Sequence, residues 1–308
     1  FNKLWNTDMN QISSNSNIVA FSNGLSSREG VFGELPSSID FDIHIEPAYR
    51  NGVQVDGQNW VVRDDTDTPL HRAVGDSFNT VSHKERFAGI QDVLRDNMPV
   101  QDMQNVNTSF KTARGGEWAL MDCTFNDVKF PIETKSHKTE IAMRTVAWSG
   151  IAGSSSNNIL FGAIDFFCTN GMVTGEYDKI RRKNSTNFTL DALLSEIHES
   201  KEAFMVFAER MQRWAEKEVS IMDVDNVIEG LFPAQRKQDM MKSLFMDEAA
   251  QRGMNVWSLY SAFTNYSSHE EVGIIRKTGK DTRAANMWKR EDEVSKLISQ
   301  PVFMQLAA

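Results

Sequence analysis

Seven basic side chains and two aromatic rings in the middle of the chain are of types that could work together: Lys135, Lys138, Arg144, Lys179, Arg181, Arg182 and Lys183, with Trp148 and Tyr177. Cations spaced along a groove neutralise backbone phosphates, and each base stacked on an aromatic ring contributes roughly 1–3 kcal/mol. Single-stranded DNA is the ligand these residues suit, and binding it requires no covalent step. Lys179 to Lys183 packs four cations into five residues. Burying four unpaired charges is prohibitive, so this segment is expected at the surface. The same residues also fit a solvated sheet face beside core aromatics.

Other groups point away from catalysis and metals. The acidic turn Asp64, Asp65 and Asp67 fails the calcium-loop pattern, because Pro69 and Gly75 stand where that loop needs Gly and Glu. Six histidines are scattered at 44, 71, 83, 137, 198 and 269, and none makes an HxH or HExxH pair. The string Gly150-Ile151-Ala152-Gly153-Ser154 has the wrong spacing for a nucleophile elbow, and the chain has no phosphate loop ending Gly-Lys-Ser/Thr. No enzyme activity, cofactor or metal is expected.

The elements that must position these groups follow from periodicity. Phe41, Ile43 and Ile45 alternate with charged residues, the pattern of a half-buried strand, and Trp60–Arg63 pairs across the acidic turn with Leu70–Val74. Ser82 followed by Glu85 has capping-box spacing, and Phe87, Ile90, Val93 and Leu94 make a helical stripe that Pro99 stops. Asn107–Thr112 and Trp118–Phe125 flank Gly115-Gly116, a hairpin signal. Strands are expected around 140–148 and 159–168, with a Gly/Ser/Asn loop between them. From Thr189 the period becomes helical: one long helix from Leu190 to Ala215, two more over 233–253 and 255–266, and a last one over 284–299 ended by Pro301. The fold class is therefore α+β, an antiparallel β-rich half with one inserted helix followed by a helical half. Residues 1–35 read as a flexible arm, 36–188 as the β-rich core, and 189–308 as a helical region packed on that core or on a neighbouring subunit. The expected core comprises Ile43, Ile45, Val61, Phe87, Ile90, Leu94, Trp118, Leu120, Ile141, Met143, Leu160, Ile164 and Phe166.

Composition sets the limits. The chain has 308 residues, 40% hydrophobic and 24% charged, enough for a sizeable core. No run reaches the ~20 apolar residues of a membrane span, so no membrane partner is expected. The two cysteines, Cys123 and Cys168, cannot staple a secreted scaffold, and read as buried thiols in a reducing, cytoplasmic compartment. The net charge of −9 hides two basic islands. Residues 129–183 carry 8 basic and 5 acidic side chains, and residues 272–308 carry 7 and 4.

Several strings come in a familiar order: Val61-Val62-Arg63-Asp64-Asp65, Gly115-Gly116-Glu117-Trp118, Ile151-Ala152-Gly153-Ser154-Ser155-Ser156, Phe167-Cys168-Thr169-Asn170-Gly171-Met172, and Ala262-Phe263-Thr264-Asn265-Tyr266-Ser267-Ser268-His269. Over roughly residues 60 to 270 this resembles DUF932, a phage- and plasmid-borne family described only as a domain of unknown function. The resemblance implies a mobile-element setting in a host cytoplasm, not a reaction. The small-residue loop lacks the family's His-Asp pair, and Asp165 stands where the family has Arg, which argues against a direct ligand role for that loop. The layout of hairpin, helix and antiparallel strands with a basic face is similar to the phage single-strand annealing proteins (the RecT, Red beta and Erf group). The expected function is binding or annealing of single-stranded DNA in phage recombination or replication. The alternative is a homo-oligomeric phage structural or host-interaction protein, since the apolar stripe from Leu190 to Ala215 suits packing against a second copy.

Overall fold

A computed structural model describes residues 28–70, 72–165, 171–173, 179–184, 189–194, 197, 200–269 and 283–308. The chain is α+β. Its strands are β1 (Arg28–Val31), β2 (Ile43–Arg50), β3 (Val53–Arg63), β4 (Thr68–Pro69), β5 (Val106–Ala113), β6 (Trp118–Glu133), β7 (Lys138–Gly150), β8 (Asn157–Asp165), β9 (Gly171–Val173) and β10 (Lys179–Arg182). Helix α1 (His83–Asn97) is inserted between β4 and β5. Helices α2 (Leu190–Leu194), α3 (Ser200–Glu216), α4 (Ile221–Leu231), α5 (Gln235–Arg252), α6 (Val256–His269), α7 (Arg283–Leu297) and α8 (Pro301–Ala307) follow the strands.

The main antiparallel sheet has the order β1-β5-β6-β7-β8-β10, with β9 also on β8, and β2-β3-β4 form a second sheet. The β5–β6 turn depends on glycine. Gly115 and Gly116 have φ of +65° and +91°, and a Cβ on Gly116 would lie 2.9 Å from an Arg63 nitrogen and 3.0 Å from the Phe41 ring. Strand β7 is buried from Ile141 to Gly150 on both faces. The pleat divides these residues. Ser149 meets His83 of α1 on one face, and Arg144 pairs with Glu291 of α7 on the other.

Helix α1 starts as its sequence predicts: the Ser82 hydroxyl accepts from the Glu85 N–H, and Phe87, Ile90 and Leu94 are fully buried. Burying each such side chain stabilises the fold by roughly 1.5–3 kcal/mol. The helical half shares one core with the main sheet. Trp214 meets the Tyr260 and Phe303 rings at 5.4 and 5.2 Å.

Several expectations change. Residues 28–31, inside the expected arm, add an edge strand to β5. The Leu190–Ala215 stripe is divided between α2 and α3, with Ile197 outside both. Its apolar members Phe204, Ala208, Met211 and Ala215 are buried within this chain, so the motive for an oligomer is met internally. Helix α4 was not anticipated, although Ser220 and Asp223 form a complete capping box before it. Pro301 opens α8 instead of only ending its predecessor, because the first helical turn needs no N–H from it. Of the expected core, Ile43 is half-buried and Ile45 is 42% exposed. The β2–β3 hairpin outruns the small core of Phe41, Val61, Leu70, Val74, Ile151 and Ala152, which leaves Tyr49 and Val53 at its tip 61% and 70% exposed. Phe166 and Cys168 lie outside the described residues.

Candidate anion-binding site

The described members of the nine anticipated ligand residues do not form one surface. Lys135 and Lys138 lie at the β6–β7 turn, where they are neutralised: Lys135 pairs with Glu218, and Lys138 Nζ is 2.9 Å from Glu133 Oε1. Ten residues of strand separate Lys138 from Trp148, roughly 33 Å. Arg144 is buried, 3% exposed, and faces no groove. Its Nε and Nη2 donate to the two Asp122 carboxylate oxygens at 2.9 and 2.7 Å, and its Nη1 donates to Glu291 Oε1 at 3.0 Å. Burial works against the Arg144 charge, but Asp122 and Glu291 outweigh it and raise its pKa. Trp148 is buried too, with its indole N–H donated to Ser155 Oγ at 2.6 Å. Alternation along a strand does not reveal whether both faces are covered, and here both are. Tyr177 lies outside the described residues, as do the side chains of Lys179 and Arg182. Arg181 and Lys183 are exposed, as expected.

Those two cations lie beside the small-residue loop Ile151–Ser156. Strand β10 pairs with β8 so that Arg181 faces Asn158 and Arg182 faces Asn157. Arg181 Nε donates to Ser156 Oγ at 3.1 Å. Asn184, next to Lys183, donates to the Gly150 carbonyl and accepts from Asn157, whose own side chain accepts from the Gly150 N–H.

The loop also forms one wall of a pocket of about 330 Å³, lined by Arg72, Arg114, Trp118, Trp148, Ser154, Ser155 and Lys289. Three cations from three distant segments meet here. Arg114 stacks on Trp118 with its guanidinium carbon 3.9 Å from the ring centroid. Trp118 donates to Ser154 Oγ at 2.6 Å, and that hydroxyl donates to Glu117. Arg114 Nη1 is 3.8 Å from the Glu117 carboxylate. Among the described residues no carboxylate pairs with Arg72, Lys183 or Lys289.

Three devices hold this arrangement. The first is the small sheet: Ile151 and Ala152 are fully buried in its core, and Arg63 bridges to the β5–β6 turn by donating to the Gly115 carbonyl at 2.9 Å. The second is α7. The Arg144–Glu291 ion pair fixes that helix across the sheet, and Lys289, two residues before Glu291, reaches the pocket. The third lies under the opposite face of β7. His83 Nε2 donates to the Gly116 carbonyl at 2.8 Å. A carbonyl only accepts, so Nδ1 is unprotonated and takes the Ser149 hydroxyl at 2.7 Å, while that oxygen accepts from Arg86. Burial, then the nearby Arg86, push the His83 pKa down to about 3. Both Ser149 and His83 are fully buried, so this Ser–His pair ties α1 to the strand beneath the pocket.

Among the described residues no group of three or more His, Cys, Asp or Glu could hold a metal, and no helix is long and apolar enough to cross a membrane. Cys123 is a free, fully buried thiol whose pKa burial pushes up to about 12, far from a reactive thiolate.

The model of the family described as a domain of unknown function, DUF932, matches residues 70–294. The chain belongs to the DUF932 family. The DUF932 match begins after the β2–β3 hairpin and takes in all three pocket cations, Arg72, Arg114 and Lys289. No curated protein and no solved structure matches the chain.

The sequence pointed to Arg181 and Lys183, which lie at this loop, but not to Arg72, Arg114 or Lys289, and it argued against the serine loop. Lys289 did fall in the second basic island, and Arg114 immediately precedes the Gly-Gly turn.

Proposed function

We propose that this DUF932 protein binds single-stranded nucleic acid along the rim of the Ile151–Ser156 loop and performs no covalent chemistry. One observation carries the reading: Arg72, Arg114, Arg181, Lys183 and Lys289 gather around one serine loop in a chain of net charge −9. A local concentration of positive charge in an acidic protein focuses polyanions and raises their encounter rate. The two tryptophans are buried in the pocket floor, where Trp118 holds the Arg114 guanidinium in place by stacking. The setting implied by the resemblance is phage recombination or replication in the host cytoplasm, where such a protein would hold or anneal displaced strands.

The test is filter binding of single-stranded oligonucleotides over a salt series. The Arg181→Ala/Lys183→Ala variant is expected to weaken binding of all sequences alike, because phosphate contacts carry no base information. The slope of log affinity against log salt should fall by roughly 0.7 per lost contact. Unchanged affinity and slope in the variant, or no binding by the wild type at low salt, would sink the proposal.

A further inference from the structure

The pocket differs from the rim in its charge. Arg72, Arg114 and Lys289 converge on about 330 Å³, at the lower end of the roughly 300–1,000 Å³ of small-molecule clefts. Glu117 is the carboxylate set against them, contacting Arg114 and the Ser154 hydroxyl. Three cations against one carboxylate leave two net positive charges at one spot. A phosphodiester within a strand carries one negative charge, whereas a phosphomonoester carries about −1.5 to −2 at neutral pH. Charge matching therefore favours a chain end over a running strand.

The backbone supports a ligand role for Arg114. It has φ of +53°, in the left-handed region that a bulky residue rarely occupies, and is followed by Gly115 and Gly116, also at positive φ. Among the described residues the other two non-glycine residues at positive φ are Asn51 and Asp67, both types that tolerate it in turns. An arginine kept in a strained position, stacked on Trp118 and aimed into a cationic pocket, is the pattern of strain held at a binding site.

The serine hydroxyls do not select the anion. Ser154 gives its proton to Glu117 and Ser155 gives its proton to the Ser156 carbonyl, while both oxygens accept from indoles. They set the loop's shape, and the three cations supply the attraction.

We infer that this pocket takes a phosphomonoester dianion, the terminal phosphate of a nucleic-acid strand. The choice of a strand as its source rests on the nucleic-acid reading above. A free nucleotide presents the same chemistry, so the experiment must separate the two.

Fluorescence polarisation on the full chain would compare one oligonucleotide sequence with a 5′-phosphate, with a 3′-phosphate and with neither, and adenosine monophosphate and inorganic phosphate would serve as competitors. The probe variant is Arg72→Ala/Lys289→Ala, two exposed positions without described ion pairs. A phosphorylated end should bind at least tenfold tighter than the unphosphorylated strand, and the variant should erase that difference while keeping the wild-type melting temperature. Equal affinity for all three oligonucleotides overturns the inference and leaves the rim reading standing. Binding of adenosine monophosphate but of no oligonucleotide, lost in the variant, keeps the phosphomonoester site and overturns the strand reading. Failure of every probe to bind overturns both. An advantage for the phosphorylated end that survives in the variant also overturns the assignment to this pocket.

Discussion

Arg144 and Lys289 meet the same helix within one turn of each other, and their surroundings are opposite. Arg144 is sealed between Asp122 and Glu291 in the layer between sheet and α7. Lys289 stands exposed at the pocket, with no described carboxylate paired to it. In composition both are simply cations of a basic island. In the fold, one holds the helix down and the other is what the helix presents. The difference shows that a cation's availability depends on whether the sheet brings carboxylates to it, and only tertiary structure decides that.

The sharpest way to break the comparison is to remove the sealed cation. Arg144→Ala leaves Asp122 and Glu291 facing each other in a buried layer, and unfolding in urea should show a loss of about 3–5 kcal/mol. Lys138→Ala, on the same strand but in an exposed pair with Glu133, should cost about 0–1 kcal/mol. Similar small losses in the two variants would mean that Arg144 is not sealed as described.

A second effect comes from the face beneath the pocket. His83 is neutral when folded, with a pKa of about 3, against about 6.5 unfolded. Its folded pKa is depressed, and the unfolded chain binds the extra proton as pH falls below 6.5. The stability it confers is therefore complete above pH 6.5 and is lost progressively toward pH 3. Between pH 6 and pH 4 the loss is roughly 2.5 kcal/mol, at about 1.36 kcal/mol per pH unit. Urea midpoints for the wild type and for His83→Gln over that range check this. Equal pH slopes in the two proteins would show that His83 is not the group responsible.

Some of this was legible in the sequence and some was not, for identifiable reasons. Ser82 with Glu85, Pro99, the Gly115-Gly116 turn and the alternation of the strands announced α1 and the central hairpins, because each is a local signal. Ile45 misled because alternation marks a strand but not the point where its cover ends. Arg144 misled because its partners lie 22 and 147 residues away. The pocket was invisible for the same reason. Arg72 comes from the small sheet's return, Arg114 from a turn and Lys289 from a helix, and no spacing rule connects them.

A variant with a small expected effect on stability is the most discriminating between the two regions. Arg114→Gly removes a cation from the pocket, together with a side chain from a residue at φ +53°. The left-handed conformation costs a residue with a Cβ roughly 1–2 kcal/mol, a cost glycine does not carry. Against that gain stand the lost stack on Trp118, about 0.5–1 kcal/mol at an exposed site, and the greater freedom of glycine in the unfolded chain, about 0.5–1 kcal/mol. These contributions nearly cancel, and what remains is the long 3.8 Å contact that Glu117 loses, so the melting temperature should fall by no more than roughly 4 °C. Affinity for a phosphorylated strand should nevertheless fall by about tenfold, the effect of losing roughly 1.4 kcal/mol from one charge-assisted contact. Arg144→Ala should show the reverse balance, with a large loss of stability and any loss of binding following from release of α7. A large drop in stability for Arg114→Gly with affinity unchanged would make Arg114 another structural arginine and remove the contrast between the two regions.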